Sequence, residues 1–577
     1  MKPADLSTTP PAAEPPVSER KTENRIADLL ITAILVMGGL VAFFSGLGNA
    51  PTSDEPIFIL SGHAVVQEGL YDFSPEHPPL TPILAGLSLV PLGLRGTAHP
   101  PVERQAYAQE EVRVFLYDNR APEAEVLLFA RLPFLLVYLL LCWGVIRWSR
   151  EWGGPWGGVV GAAAITLYPW CMGSAMIVQT DLVLAASAVW TFYFLHRAFQ
   201  KRRMFIPFSL LLGLAFASKA SAVLFIPFTL ALILLDFWRR RKADLRLAVA
   251  WGGAVLGAVL LAGVLFTFAS RHSTPRETGT IARAVLSGRP GSEGAAHRIE
   301  SLARWSPGAA HGVLTVTAAF NLVQNRDGVN YIFGRKDTAG FWYYFPAAWL
   351  IKSPLPYLFL LAFCFFKGRW GFREAFLWAP ILLLFLASMG SSFNIGVRHL
   401  SPIFPLAAVF LGMRIGSLKR AAWIAAGWSL TLAALAVAVY PNYLSHFNMF
   451  FSHRPERFLV DSNLDWGQDW KRAAALAREM CYGGRVVAVY IGTASPERYF
   501  TPPATLYAPG MPVEKGTVYA VSIQARTVGP DILRLWGMRG EADALQEFLS
   551  GLESRQFNKI RKLPGIEFYV PKQPGTD

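Results

Sequence analysis

The chain has 577 residues, of which 16% are charged, 53% hydrophobic and 13% aromatic. An average soluble protein carries roughly 25% charged residues, and this much apolar surface excludes disorder for the bulk of the chain. Four cysteines exclude a disulfide scaffold, while 54 basic against 40 acidic residues leave a formal charge of +14. Few charges with a basic excess fit a nucleic-acid binder or a membrane protein, and the placement of the charges decides between them.

A bilayer's hydrocarbon core takes about 20 apolar residues in a helix. In chain order, eleven segments meet or approach this length: 29–46, 127–146, 156–172, 180–196, 204–218, 221–237, 247–269, 346–366, 375–390, 399–413 and 421–440. The expected count is therefore eleven, within one. The fifth and sixth segments flank Lys219 and are short, as in a hairpin or in helices broken near a polar pocket. With a cytoplasmic N-terminus, the even-numbered segments return to five short loops. These carry Arg147, Arg150 and Glu151; Arg197 and Lys201–Arg203; Asp236 and Arg239–Arg246; Lys367–Glu374; and Arg414–Arg420. Each loop is net positive, and together they hold nearly all of the basic excess. That is the positive-inside pattern, and it removes the main support for a nucleic-acid partner.

Residues 1–27 are Pro-rich with mixed charge and are expected to form a disordered cytoplasmic tail. The first apolar segment lacks a small-residue cleavage site and reads as a retained helix rather than a signal peptide. Residues 28–440 then form a transmembrane domain with two long external segments, 47–126 and 271–345, the second without assignable structure. After eleven crossings, 441–577 emerges outside as an extracytoplasmic α/β domain. Its expected elements are a helix at about Asp465–Met480, opened by Asp465, and strands at Val486–Ile491, Thr517–Ile523 and Ile566–Val570. Cys142, Cys171 and Cys364 fall within membrane segments, and Cys481 alone would meet an oxidising compartment. No internal repeat is apparent.

The informative residues are polar ones in unusual places. After the first segment comes Thr52-Ser53-Asp54-Glu55-Pro56, followed by Ile57, Leu60, Ala64 and Val65 at helical spacing and closed by Gly69. This predicts an amphipathic helix along the membrane surface. Asp54 suits an ordinary N-cap with Pro56 in the first turn. The Asp54-Glu55 pair at the outer rim of a bundle equally suits a general base. In Glu76-His77-Pro78-Pro79-Leu80-Thr81-Pro82, three prolines predict an extended segment. It is either a rigid linker into the apolar stretch Ile83–Leu94 or a support holding His77 beside Asp54. Arg131, Asp181, Lys219 and Arg398-His399 each map to the outer end of a segment. Snorkelling accounts for any single Arg or Lys. Three cations on the face where basic anchors do not collect resemble a pocket for an anionic headgroup.

Taken together, these residues resemble a GT-C glycosyltransferase. The chain is similar to bacterial relatives of the protein O-mannosyltransferases and of the lipid A aminoarabinose transferase. The features that carry the likeness are Asp54-Glu55, His77-Pro78-Pro79-Leu80, Arg131-Leu132-Pro133, Asp181, Ala217-Ser218-Lys219, and Arg398-His399 with Pro402 and Pro405, in this order over residues 28–440. The run Asp461-Ser462-Asn463-Leu464-Asp465-Trp466-Gly467-Gln468-Asp469 resembles a stretch of uncharacterised bacterial members. The sequence departs from the pattern at Ala220-Ser221, where many relatives have glycine, and at His399, where an aromatic residue is usual.

The resemblance implies an inverting transfer of a sugar from a polyprenyl-phosphate carrier to an acceptor hydroxyl at the outer face of a bacterial inner membrane. Asp54 would be the base, with Glu55 orienting it, sharing a metal or capping the helix. His77 and Asp181 would position donor and acceptor, and Arg131, Lys219, Arg398 and His399 would hold the lipid phosphate. A divalent cation is left open: some members of the wider class need one, and no His/Cys cluster has zinc spacing. The acceptor, whether protein, lipid or glycan, is also open. The alternative reading is a transporter or flippase of a lipid-linked saccharide, which would favour midplane polar groups and inverted repeats.

Overall fold

The computed structural model describes residues 17–97, 108–240, 245–287, 291–324, 328–480, 484–553 and 557–572. It opens with α1 (Val17–Leu47). This helix starts inside the stretch expected to be a disordered tail, of which residues 1–16 lie outside the described residues, as do Arg241, Lys242, Asp244 and Cys481. The next elements are α2 (Glu55–His63), α3 (Leu80–Leu89), α4 (Ala108–Tyr117) and α5 (Glu123–Thr166). Two expected segments are merged in α5, whose backbone breaks at Gly154, with φ 69° and ψ −167°, just before Pro155. A short α6 (Pro169–Ser174) leads into α7 (Thr180–Ala198), α8 (Phe205–Phe216), α9 (Phe225–Arg240) and α10 (Leu245–Ala269).

Residues 271–345, left unassigned by sequence, hold α11 (Pro275–Leu286), α12 (Ser292–Ala303), α13 (Pro307–Gln324) and the antiparallel hairpin β1 (Asn330–Ile332) and β2 (Arg335–Asp337). Pro275 at the first turn and a Thr274/Glu277 capping box start α11. Then come α14 (Tyr344–Lys352), α15 (Leu355–Phe366), α16 (Phe372–Met389), α17 (Ile403–Gly416) and α18 (Ala421–Val439). Among the described residues, six helices are long and apolar enough to cross a membrane, or up to seven if α14 and α15, bent by 115° at Ser353-Pro354, count as one span. The other expected segments are helical but shorter, broken or buried inside the bundle.

The middle of the bundle is the contact of α5 with α17. It is built on small residues: a Cβ on Gly412 would stand 2.6 Å from the Gly157 carbonyl oxygen, and one on Gly157 would stand 2.7 Å from that of Gly412. Only glycine permits this backbone approach, and such small-residue seams draw membrane helices together by dispersion contacts.

Two expectations about the first external segment are corrected. The helix α2 does not lie amphipathically on a surface. Phe58, Ile59, Leu60 and Ser61 are all buried, because α3 and α4 pack over it. Nor do the prolines hold an extended segment. Pro79 is the cap of α3 and Pro82 sits in its first turn, where a missing N–H costs nothing.

The C-terminal region starts its helix later than expected: α19 spans Trp470–Glu479, capped at Asp469. Five strands follow, β3 (Val486–Val489), β4 (Thr505–Leu506), β5 (Val518–Ser522), β6 (Phe557–Lys562) and β7 (Ile566–Pro571), in the order β4-β3-β5-β7-β6. The β3 pairings with β4 and β5 are parallel, while β7 runs antiparallel to β5 and β6. Alternation explains the layers. Val486, Ala488, Val518, Ala520 and Phe568 face α19. Val487, Val489, Tyr519, Val521 and Tyr569 face α20 (Ile523–Leu535) and α21 (Arg539–Glu553) on the other side. Polar pairs tie this unit to the helical body: Arg498 to Asp118 at 2.8 Å, Lys471 to Glu123 at 3.2 Å, and Lys336 to Asp531 at 2.7 Å.

Candidate active site

A cavity of about 480 Å³ is lined by Asp54, Glu76, His77, Asp181, Lys219, Arg398 and His399, with Ala318 and Ala319 of α13 on one wall. Each polar residue arrives from a different element. Asp54 immediately precedes α2; its backbone is helical and its side chain makes no cap bond. Asp54 thus holds the N-cap position without a side-chain cap bond, and its side chain lines the cavity. Asp181 sits in the first turn of α7. Lys219 has an extended backbone between α8 and a short 3-10 turn at Ala220–Leu224. That is the break expected near a polar pocket. Arg398 and His399 lie on another such turn, Val397–Leu400, ahead of α17.

These groups form a chain of alternating charge. Arg398 Nη2 lies 3.0 Å from Asp54 Oδ2, and Arg398 Nη1 lies 3.7 Å from Asp181 Oδ2. Lys219 Nζ donates to Asp181 Oδ1. Burial grades along the chain: Asp181 is 1% exposed, Arg398 12%, Lys219 13% and Asp54 40%. Asp54 is thus the carboxylate open to an incoming group, while Asp181 is the enclosed counter-ion. The His77 ring packs at a tilt against Phe58, with centroids 5.1 Å apart, and has Glu76 at 3.8 Å. Desolvation, with help from the Lys219 and Arg398 charges, holds its imidazole below the usual range despite the opposing carboxylates Glu76 and Asp54. A neutral imidazole can both donate and accept a hydrogen bond, which suits sugar hydroxyls.

Two expected site residues belong elsewhere. Glu55 and Arg131 form a buried fork, with Arg131 Nε and Nη2 each donating to Glu55 carboxylate oxygens at 2.7 Å. The remaining Arg131 donors go to the carbonyls of Gly46 (3.0 Å), Asn49 (3.2 Å) and Ala50 (3.2 Å). All five N–H groups are accounted for, so Arg131 has none left for a phosphate. Glu55 also accepts from the backbone of Thr52 and Val178 at 3.2 and 3.1 Å. The pair fastens the C-terminal end of α1 and the start of α2 to α5 and to the segment before α7. Adjacent carboxylates have therefore parted company: helical backbone turns Asp54 outward and Glu55 inward.

Glu76 and Trp466 were missed as site residues. Glu76 adjoins His77, and adjacency was the available signal. Trp466 lies in the singled-out Asp461–Asp469 run, and its ring centroid is 4.2 Å from the Arg398 guanidinium carbon. No group of three or more His, Cys, Asp or Glu among the described residues is arranged to hold a metal ion.

Residues 125–266, from α5 to α10, match the model of the dolichyl-phosphate-mannose-protein mannosyltransferase family. A comparison with curated proteins finds no match. Among solved structures, the chain is similar to ArnT from Cupriavidus metallidurans bound to undecaprenyl phosphate, with 12% identity, a TM-score of 0.47, and 94% of this chain and 97% of that one covered. It is also similar to the Archaeoglobus fulgidus oligosaccharyltransferase in complex with Zn and sulfate, with 11% identity, a TM-score of 0.42, and 93% and 73% covered. The family match takes in Asp181 and Lys219, two of the four charges that meet in the cavity. Over residues 125–266 it bears out the resemblance to GT-C glycosyltransferases read from the sequence.

Proposed function

We propose that this protein transfers a sugar, with inversion, from a polyprenyl-phosphate carrier to an acceptor hydroxyl at the outer face of the membrane. The observation that carries the reading is the exposed Asp54 carboxylate 3.0 Å from Arg398, with the Lys219–Asp181 pair completing the same cavity. The acceptor oxygen attacks the anomeric carbon from the side opposite the phosphate. Asp54 takes its proton, the bond from carbon to phosphate oxygen breaks, and the carrier leaves as a phosphate monoester. Negative charge grows on that phosphate, and Arg398 and Lys219 are the cations placed to meet it.

At rest both cations are held by carboxylates. A donor phosphate that engages Arg398 frees Asp54 for its role as base, so donor binding and base activation are one event. Asp181 stays behind as the counter-ion that keeps Lys219 in place, and His77 contacts sugar hydroxyls. The expected setting is a bacterial inner membrane, with the C-terminal unit on its outer face.

The test is Asp54→Asn in proteoliposomes supplied with a radiolabelled polyprenyl-phosphate sugar and an extract of candidate acceptors. Transfer should fall by roughly 10²–10⁴-fold, as for loss of a general base, with the protein still folded. Near-normal transfer would overturn the assignment.

A further inference from the structure

We propose that Trp466 is a positioning residue for Arg398, and that the run Asp461–Gln468 sets the spacing of Arg398 from Asp54. The proposal rests on the transferase reading above. Asp54 and Arg398 are distant in sequence and meet in the cavity. The Asp461–Gln468 run links the segments that carry them, because it is bonded to the residues just before each of them.

On the Arg398 side, Ser462 Oγ donates to the Ile395 carbonyl at 2.8 Å, and the Val397 N–H donates to Asn463 Oδ1 at 3.0 Å. On the Asp54 side, the Ser53 N–H donates to the Trp466 carbonyl at 2.8 Å, and the Ala50 N–H donates to that of Gln468 at 3.0 Å. The run is itself held in one shape. Gln468 Oε1 accepts from the Trp466 N–H at 2.8 Å. Gly467, at φ 94°, has no room for a side chain, since a Cβ there would stand 2.9 Å from the Tyr490 hydroxyl.

The indole completes the arrangement. Trp466 is 3% exposed, and the guanidinium sits over its ring at 4.2 Å. A planar cation stacked on a ring keeps its N–H groups in the stacking plane and loses rotational freedom. Here two of those N–H-bearing nitrogens lie 3.0 Å from Asp54 and 3.7 Å from Asp181. The same directions are the ones a lipid phosphate would have to use. Stacking therefore aims Arg398 before the donor arrives, at no cost in donors, because the ring face takes none of them.

The experiment measures binding of a polyprenyl phosphate to the full-length protein in detergent, for Trp466→Phe and Trp466→Leu, each made in the wild-type and in the Arg398→Ala background. Trp466→Leu should weaken binding roughly tenfold, the scale of a desolvated cation–ring contact, while Trp466→Phe stays within about threefold. In the Arg398→Ala background, Trp466→Leu should have no further effect. In transfer assays the Leu variant should raise the donor KM more than it lowers kcat. Should the Leu variant not fold, Trp466→Met replaces it as the non-aromatic variant.

Wild-type-like binding by both single variants overturns the proposal. An equal loss with and without Arg398 also overturns it, since the indole would then be a structural support only. Failure of the wild-type protein to bind polyprenyl phosphate overturns the donor reading and this proposal with it. Those outcomes are separable, because the first two require wild-type binding.

Discussion

Asp54 and Glu55 are neighbours with opposite fates, and the contrast makes a sharp prediction. Asp54 meets solvent and one cation, whereas Glu55 is fully buried and accepts four hydrogen bonds, two of them from Arg131. Removing one partner of a buried ion pair leaves an uncompensated charge, at a cost of about 3–5 kcal/mol. Glu55→Gln should therefore lower the thermal unfolding midpoint sharply or abolish folded yield, while Asp54→Asn keeps the wild-type midpoint and loses transfer. Fluorescence-detected size exclusion and thermal scans of the two variants side by side check this; equal midpoints would refute it. The sequence marked both residues without separating them. Their roles depend on which one faces Arg131, 76 residues away in sequence, and no local pattern contains that fact. Arg131 was misread for the same reason, because an outer-end cation looks the same whether its donors are free or spent.

At the scale of elements, the α5–α17 seam bears most directly on stability. Both helices are apolar runs, so hydropathy placed them but could not say that their backbones touch. Gly412→Leu inserts a side chain where a Cβ already meets the Gly157 carbonyl at 2.6 Å. Overpacking of this kind costs about 1–3 kcal/mol or more. A lowered unfolding midpoint in detergent is the expected outcome, with Gly427→Leu on α18 as the control, since nothing lies within 4 Å of a Cβ there. A Gly412→Leu midpoint matching the control would show that the seam tolerates opening. Legibility followed length. Apolar runs were found as helices to within a few residues, and the buried β-branched runs Val486–Val489 and Val518–Ser522 as strands. The helices of 271–345 were missed although Ile281, Leu286, Ile299 and Leu314 form a core between them, because the many Gly, Ser, His and Arg residues around these few apolar ones hid the helical spacing. The strand Phe557–Lys562 alternates weakly, being mostly exposed, and escaped detection on that account.

For the whole molecule, buried carboxylates tie the Asp461–Asp469 run to the C-terminal sheet and α20. Asp465 is fully buried; desolvation pushes its carboxyl up to about 6, against the hydrogen bonds it accepts from Ser522 and the Gln524 backbone. The folded protein thus holds this proton more tightly than the unfolded chain, whose reference value is 3.8. Its contribution favours the fold increasingly as pH falls from about 6 towards 3.8. Wild type minus Asp465→Asn should accordingly show a difference in unfolding midpoint that shifts towards the wild type on going from pH 7.5 to about 5. A difference independent of pH would rule this out. The extent of the joint was not legible, since the sequence suggested a separate domain, whereas contacts such as Ser53 with Trp466 make the unit part of the site.

The alternating charges of the cavity also bear on how fast a ligand enters it. Three carboxylates, Asp54, Glu76 and Asp181, line it against two cations, Lys219 and Arg398. Such a mouth offers no electropositive funnel, so an anionic lipid gains no long-range steering on approach. Encounter is left to lateral diffusion, and selectivity is exercised only at contact, when partners are exchanged. Raising ionic strength from about 0.05 to 0.5 M should then change the association rate of polyprenyl phosphate by less than about twofold, where a steered ligand would slow many-fold. Stopped-flow association in nanodiscs of neutral lipid gives the measurement, and a steep decline with salt would point to a basic surface outside the cavity.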